Sequence, residues 1–273
     1  MIKHWPFFLG GLLIIALIGI LGYFLVFSKS GAKSQDAGEI VEVEAPEISS
    51  RPFFSFAPRD DGKAIQVSIS GIASNMQIDY EITYKAGSGL EQGIGGPAVA
   101  EVGQSFYTRE HIFGTCSKNV CTYDKGVEFG KWKASVQQKN QVYELEGEWR
   151  LQNPGTKAIA LGFEDKFKLT VDAGTFSKSL FVITSQNSSL PKKLPEGVKG
   201  VLGPFTIAAS EAITLKKPAV VSFSTTDGTN LQILQLSTGE VDWKLQETKT
   251  DTATNSITAA ASTFGTFILV EKI

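Results

Sequence analysis

The sequence predicts an all-β ectodomain, two antiparallel β-sandwich-like domains behind one N-terminal transmembrane helix. Three observations carry that expectation. Residues 5–27 (WPFFLGGLLIIALIGILGYFLVF) are an uncharged apolar run. From Pro52 onward apolar and polar residues alternate with the period of two of half-buried strands. Turn-forming Gly, Asn-Pro and Asp-Gly groups separate those runs at roughly 8–12-residue intervals, the rhythm of a sandwich.

The balance of the whole chain narrows the function classes. Its 273 residues are 42% hydrophobic and 20% charged with a formal net charge of −2. That is the composition of a globular protein rather than of a disordered or collagenous one. It also lacks the basic excess with which a protein displaces counterions from phosphates, so no nucleic-acid partner is expected. Two His and two Cys leave a small vocabulary for catalysis or metal binding.

Residues 1–4 read as a cytoplasmic tail, and 5–27 as an uncleaved, single-pass signal anchor. At about 1.5 Å per residue the run crosses a hydrocarbon core of about 30 Å, whereas cleavable apolar segments are about 7–15 residues long. Trp5 and Tyr23 stand near its two ends, as interfacial rings do. Gly11, Gly19 and Gly22 do not make a clean small-residue face for helix pairing. Lys3 before the run and Lys29 and Lys33 after it give little charge contrast. The cysteines described below place the ectodomain outside. Residues 28–51, rich in Ser, Ala and Glu, read as a flexible tether with an end-to-end distance of roughly 25–30 Å.

Residues 52–187 are expected to form the first sandwich. Ile65, Val67 and Ile69 alternate with polar residues, as do Met76 to Tyr84 and Tyr143 to Leu151. Phe167 to Val171 and Leu180 to Thr184 add further strands. Two Pro and three Lys in 188–200 suggest an interdomain hinge. Residues 201–273 make a second, small all-β unit that would lean on the first to complete its burial.

Candidate chemistry concentrates at few residues. Cys116 and Cys121 are separated by four residues, which lets a turn at Ser117–Val120 join them, and a disulfide pinning a hairpin is expected in an oxidising compartment. The rivals are a metal site adding His111 and Asp124, and a catalytic thiol assisted by His111. His111 is the only histidine beyond the N-terminal tail, so any His-dependent mechanism in the ectodomain must use it. The Gly-rich segment 86–96 reads as a hairpin loop, because no helix follows to gather the N–H groups a phosphate needs. Asp60-Asp61, Asp124 with Glu128, and Glu164-Asp165 are oxygen donors suited to calcium or to a glycosidase pair, without the spacing of a dedicated calcium loop. Asn187-Ser188-Ser189 fits the glycosylation acceptor pattern. An exposed aromatic patch drawn from Phe53, Phe54, Phe56 and Trp132 would favour binding.

The C-terminal unit carries a further pattern. GPFTIAASEAITLKKPAVVSFS (203–224), Gly239 and Trp243 spaced as Gly-x-x-x-Trp, and ITAAASTFGTFILVE (257–271) together resemble the ankyrin and netrin-receptor type β-sandwich module. The resemblance covers about 200–273 and implies a module for protein contacts. Some of that family cleave themselves at a Phe-Ser bond with an adjacent His. Here Thr263, Phe264 and Gly265 occupy those places, so neither chemical group is present and no self-cleavage is expected.

These readings converge on a membrane-anchored extracytoplasmic binding or scaffolding protein, with a protein or envelope polysaccharide as partner. They assign no catalytic residue, cofactor or metal. The alternatives are an envelope hydrolase using His111 or carboxylates, and an accessory subunit of a membrane assembly.

Overall fold

Alternating burial defines the strands. The computed structural model describes residues 40–118, 120–155, 157–176, 180–225 and 230–273. The expected membrane span at 5–27 and the tether up to residue 39 lie outside them. No helix of the described residues is long and apolar enough to cross a membrane. The first strands are β1 (Val41–Glu42), β2 (Phe53–Pro58), β3 (Ala64–Ser70), β4 (Met76–Lys85) and β5 (Glu91–Ala98). They are followed by β6 (Phe106–Ile112), β7 (Gly114–Ser117), β8 (Val120–Tyr123), β9 (Phe129–Gln138) and β10 (Gln141–Gln152). In β4 the side chains of Ile78, Tyr80, Ile82 and Tyr84 are buried, while Gln77, Asp79, Glu81 and Lys85 face water.

The chain continues through β11 (Ile159–Phe163), β12 (Phe167–Val171), β13 (Val182–Gln186), β14 (Val198–Ala209) and β15 (Thr214–Ser224). It ends with β16 (Leu231–Ser237), β17 (Lys244–Leu245), β18 (Thr248–Asp251), β19 (Ser256–Thr263) and β20 (Gly265–Lys272). All-β architecture with antiparallel sheets is therefore observed. One long sheet runs β17-β16-β20-β14-β13-β10-β9-β4-β5, with β1 added in parallel to β10. A three-stranded sheet β2-β3-β6 and a five-stranded sheet β11-β12-β15-β19-β18 pack against it, and β7-β8 forms a separate hairpin.

The two smaller sheets cover opposite faces of the long one. The switch is visible at β13, where neighbouring side chains enter different cores: Ile183 joins Phe54, Ile65 and Trp132, while Val182 joins Leu169, Phe205 and Phe267. Because successive strand residues point to opposite faces, one strand serves both layers. At the far end β20 is also covered twice. Phe267 and Leu269 enter the second core, and Ile268 and Val270 pack with Leu190 and Leu234.

Three segments differ from the sequence expectation. Residues 41–51 are part of the fold rather than of a free tether. Val41 and Val43 donate to the carbonyls of Asn140 and Val142 at 2.8 and 2.9 Å. The Arg51 guanidinium donates to Pro46 O at 2.6 Å and to Ser188 O at 2.7 Å. The segment 188–200, expected as a hinge, joins two strands paired to each other from Val182↔Ala209 to Gln186↔Phe205. Its Leu190 is buried, and its Lys192 binds Val241 O and Asp242. Residues 159–182, grouped by sequence with the first domain, supply Leu161, Phe163, Phe167, Leu169 and Val182 to the second core. A unit beginning at 201 contains too few strands to cover its own sheet, and these earlier strands complete it. Residues 41–273 form one compact unit.

Candidate functional site

The cysteines settle first. Cys116 and Cys121 are directly opposed in β7-β8, with Cα atoms 4.0 Å apart, and are joined in a disulfide. Both sulfurs are thereby occupied, and neither the thiolate nucleophile nor the Cys-containing metal site exists in this state. The hairpin is held at its base by Tyr123, whose ring lies 5.5 Å from the Arg59 guanidinium and 5.0 Å from Lys63 Nζ. Arg59 in turn binds Asp61 at 2.9 Å and Glu110 at 3.1 Å. Its hydrogen bonds hold the Asp61 carboxyl below the usual range.

His111 lies on β6 opposite Ile65, at the rim of the first core. Its Nε2 is 2.6 Å from the Tyr80 hydroxyl, which is 3.3 Å from that of Tyr107. Burial, and then the charge of Arg109, push the imidazole below its ordinary value. Burial pushes the Tyr80 phenol up, with Tyr107 adding to the effect. A neutral imidazole facing a protonated phenol is a stable hydrogen-bonded pair, and its recorded partners include no Ser or Cys for it to activate.

The carboxylates are dispersed into structural pairs. Asp60 accepts from Ser210 Oγ, tying the first turn to the second half. Asp124 accepts from Tyr84 Oη at 2.9 Å, and burial followed by that carboxylate raises the phenol. Glu164 and Asp165 occupy the tight turn closed by Lys166 N–H to Phe163 O. Among the described residues no three His, Cys, Asp or Glu side chains come together as a metal site.

Two other sequence-based candidates are overturned. Phe53, Phe54, Phe56 and Trp132 are all buried, with Phe54 stacked on Trp132 at 4.8 Å, so they are core and not an exposed patch. Phe54 and Phe56 share the core face of β2, and Phe53 at its start is buried as well, while Ser55 and Ala57 are half-buried. Asn187 is also buried, and its Nδ2 donates to Thr206 Oγ1 at 2.9 Å. The atom a glycan would need is used inside the protein. The Gly-rich segment is a loop only at its start, since β5 begins at Glu91.

What the structure does bring together is a pair of adjoining grooves. One, about 300 Å³, lies where the outer surface of β4, β9 and β10 meets Phe163 of β11, and Lys85, Lys131, Glu148 and Arg150 line it. The other, about 590 Å³, is lined by Asp61, Asp124, Glu128 and Phe181 among others. Phe129 and Arg150 line both. The Phe129 ring is 54% exposed, and the Arg150 guanidinium sits 5.6 Å above the Phe163 ring. Gly130 lets β9 pack closely against Thr83 of β4 and the indole of Trp149. A Cβ there would stand 2.7 Å from Trp149 Cζ2 and 2.0 Å from Thr83 O. Trp149 Nε1 is buried without a hydrogen-bond partner among the described residues.

No family model matches the chain, and no curated protein matches it. The site must therefore be read from its own chemistry. The groove surface combines the exposed Phe129 ring with side chains of both charges, Lys85, Lys131, Glu148 and Arg150. Sequence reasoning missed Phe129 and Arg150. Alternation places Arg150 on the polar side of β10, but nothing local reveals that β11 will come to lie beside it.

Proposed function

We propose that this chain is an extracytoplasmic binding or scaffolding protein, anchored in the membrane by residues 5–27, that engages a polymer of the cell envelope through the grooves meeting at Phe129 and Arg150. The observation that carries the reading is the exposed Phe129 ring between two recesses of mixed charge. An aromatic ring left in water on a rigid strand has no use to the core, and a ring beside guanidinium, ammonium and carboxylate groups suits glycan or peptide recognition. The resemblance of residues 200–273 to the ankyrin and netrin-receptor type module supports a role in protein contacts for the second half.

The test is co-sedimentation of the full chain, in detergent, with envelope material from its own source. Phe129→Ala and Arg150→Glu are carried alongside, and mass spectrometry reads pellet and supernatant. Retention of the parent chain that falls at least tenfold in both variants supports the reading. Retention unchanged by either variant removes the grooves from the account, and release of cleaved glycan or peptide replaces a binding protein with a hydrolase.

A further inference from the structure

The long sheet ends at β5, and among the described residues β5 pairs with β4 alone, its outer edge unpaired. Its register with β4 is unbroken across eight pairs, from Lys85↔Glu91 to Ile78↔Ala98. The hairpin is closed by Ala86 N–H to Leu90 O at 3.1 Å. Antiparallel alternation then aims the amides of Gln92, Ile94, Gly96 and Ala98 at β4, and those of Glu91, Gly93, Gly95 and Pro97 outward. Pro97 falls in the outward set, where its missing N–H takes nothing from the ladder.

Exposed edges are ordinarily blunted by charge, bulges or shortness. Between Glu91 and Pro97, which stand at its two ends, this edge carries no charge and no register shift. Residues 92–100 contain no charged side chain, and β5 has no register shift. Gly93 and Gly95 put no side chain on the outer face of the strand.

We propose that β5 pairs antiparallel with β5 of a second copy of this chain about a two-fold axis at Ile94, making the long sheet continuous through a dimer. The self-complementarity of the strand selects this occupant. An axis at Ile94 sets Gly93 opposite Gly95 and Glu91 opposite Pro97, so outward amides meet outward amides and about six main-chain hydrogen bonds form. On the inner face it sets each larger side chain against a smaller one, Gln92 against Gly96 and Leu90 against Ala98. Leu90 is an exposed apolar side chain at 64%. It is delivered to the rim of the partner's groove of about 750 Å³, which Ile72, Met76, Ala98, Val99 and Val102 help to line. An isologous interface of this kind closes on itself and forms no fibre.

The experiment uses the full chain in detergent with single-cysteine variants, the native cysteines being already joined. Ile94→Cys stands across the axis from itself in a non-hydrogen-bonded pair, at about 4.5 Å between Cα atoms, within disulfide reach. Gln92→Cys stands about 13 Å from its symmetry mate, outside that reach. Oxidation is expected to give a covalent dimer for Ile94→Cys and none for Gln92→Cys. In the second measurement, Gly93→Pro removes an outward N–H, and its Cβ would stand 2.7 Å from the movable Glu81 Oε1. It should weaken the dimer dissociation constant at least tenfold by mass photometry while leaving the far-ultraviolet circular dichroism unchanged. Equal cross-linking of both cysteine variants, a monomeric parent chain, or a dimer that survives Gly93→Pro would each overturn the proposal. The last would move the interface elsewhere, the apolar N-terminal segment included.

Discussion

The two cores are of similar extent but use different aromatics. The first gathers Trp132, Trp149, Tyr80, Tyr84 and Tyr143 around Phe54, Phe56 and Phe113. The second relies on phenylalanines at 163, 167, 176, 205, 223, 264 and 267, with Phe167 and Phe205 stacked at 4.8 Å. A buried phenol or indole usually takes a hydrogen-bond partner. Trp149 has none among the described residues, but the rings named next use their polar ends in this way. Tyr80 reaches His111, Tyr84 reaches Asp124, and Trp132 donates to Gln186 O at 3.2 Å. A phenylalanine core makes no such demand. The three grooves described above are lined mainly from the first half, with Asn153, Ile159, Phe163 and Phe181 the contributions from beyond β10. The comparison separates a half shaped by its polar rim from a half shaped by packing.

The sharpest way to break that contrast is Phe205→Ala. Phe205 is fully buried between Phe167 and Phe223, and its truncation should cost about 3–5 kcal/mol by urea unfolding. A loss below about 1 kcal/mol would mean the second core is loosely packed. Replacing Cys116 and Cys121 by Ser should cost about 2 kcal/mol, because the closed ring is small and the hairpin belongs to neither core. Unfolding with and without reductant measures it, and a loss as large as that of Phe205→Ala would make the hairpin part of the first core.

Tyr80→Phe should cost about 1 kcal/mol at pH 7.5, by leaving His111 without its partner. A pH series sharpens the point. His111 is held below its ordinary value, so the unfolded chain binds a proton that the folded chain refuses between the two values. The stabilisation is complete above about pH 6.5 and is lost as pH falls from there toward the folded value. The melting temperature of the parent chain should drop over that window, and His111→Phe should remove that part of the slope. An unchanged slope would place the acid sensitivity in the carboxylates. The smallest effect on stability belongs to Phe129→Ala, within about 0.5 kcal/mol, even though it should abolish envelope retention.

Strand positions were legible in the sequence wherever one face of a strand meets water. The alternation of Met76–Lys85 and of Tyr143–Leu151 is the direct imprint of a half-buried sheet. The imprint fails for β2, whose closely spaced rings left an exposed patch open as a reading and are buried. It fails again at Asn187, since a buried amide and a glycan acceptor have the same letters. Which strands share a core is not a local property. Leu161 and Phe267 share one core across a hundred residues of sequence, and only strand order reveals that Leu161, Phe167 and Val182 belong with the C-terminal half. The candidate site shares that difficulty, because Phe129 and Arg150 acquire their setting from Phe163.

Residues 41–51 also have a mechanical meaning. A pull delivered through the N-terminus meets first the two short bonds of Val41 and Val43 to β10, and last the Arg51 clamp. Those bonds are expected to break one after another, like a seam opened from its end. The contacts of Val43 and Ala45 at the rim of the first core, and of Ile48 with the Leu190 cluster, would break with them. The released segment lengthens the leash by about 35 Å at full extension, a discrete step that a single-molecule pull would record. Under the anchorage proposed above, the fold would store slack at its N-terminal end, and the sheets would be spared until that slack is spent.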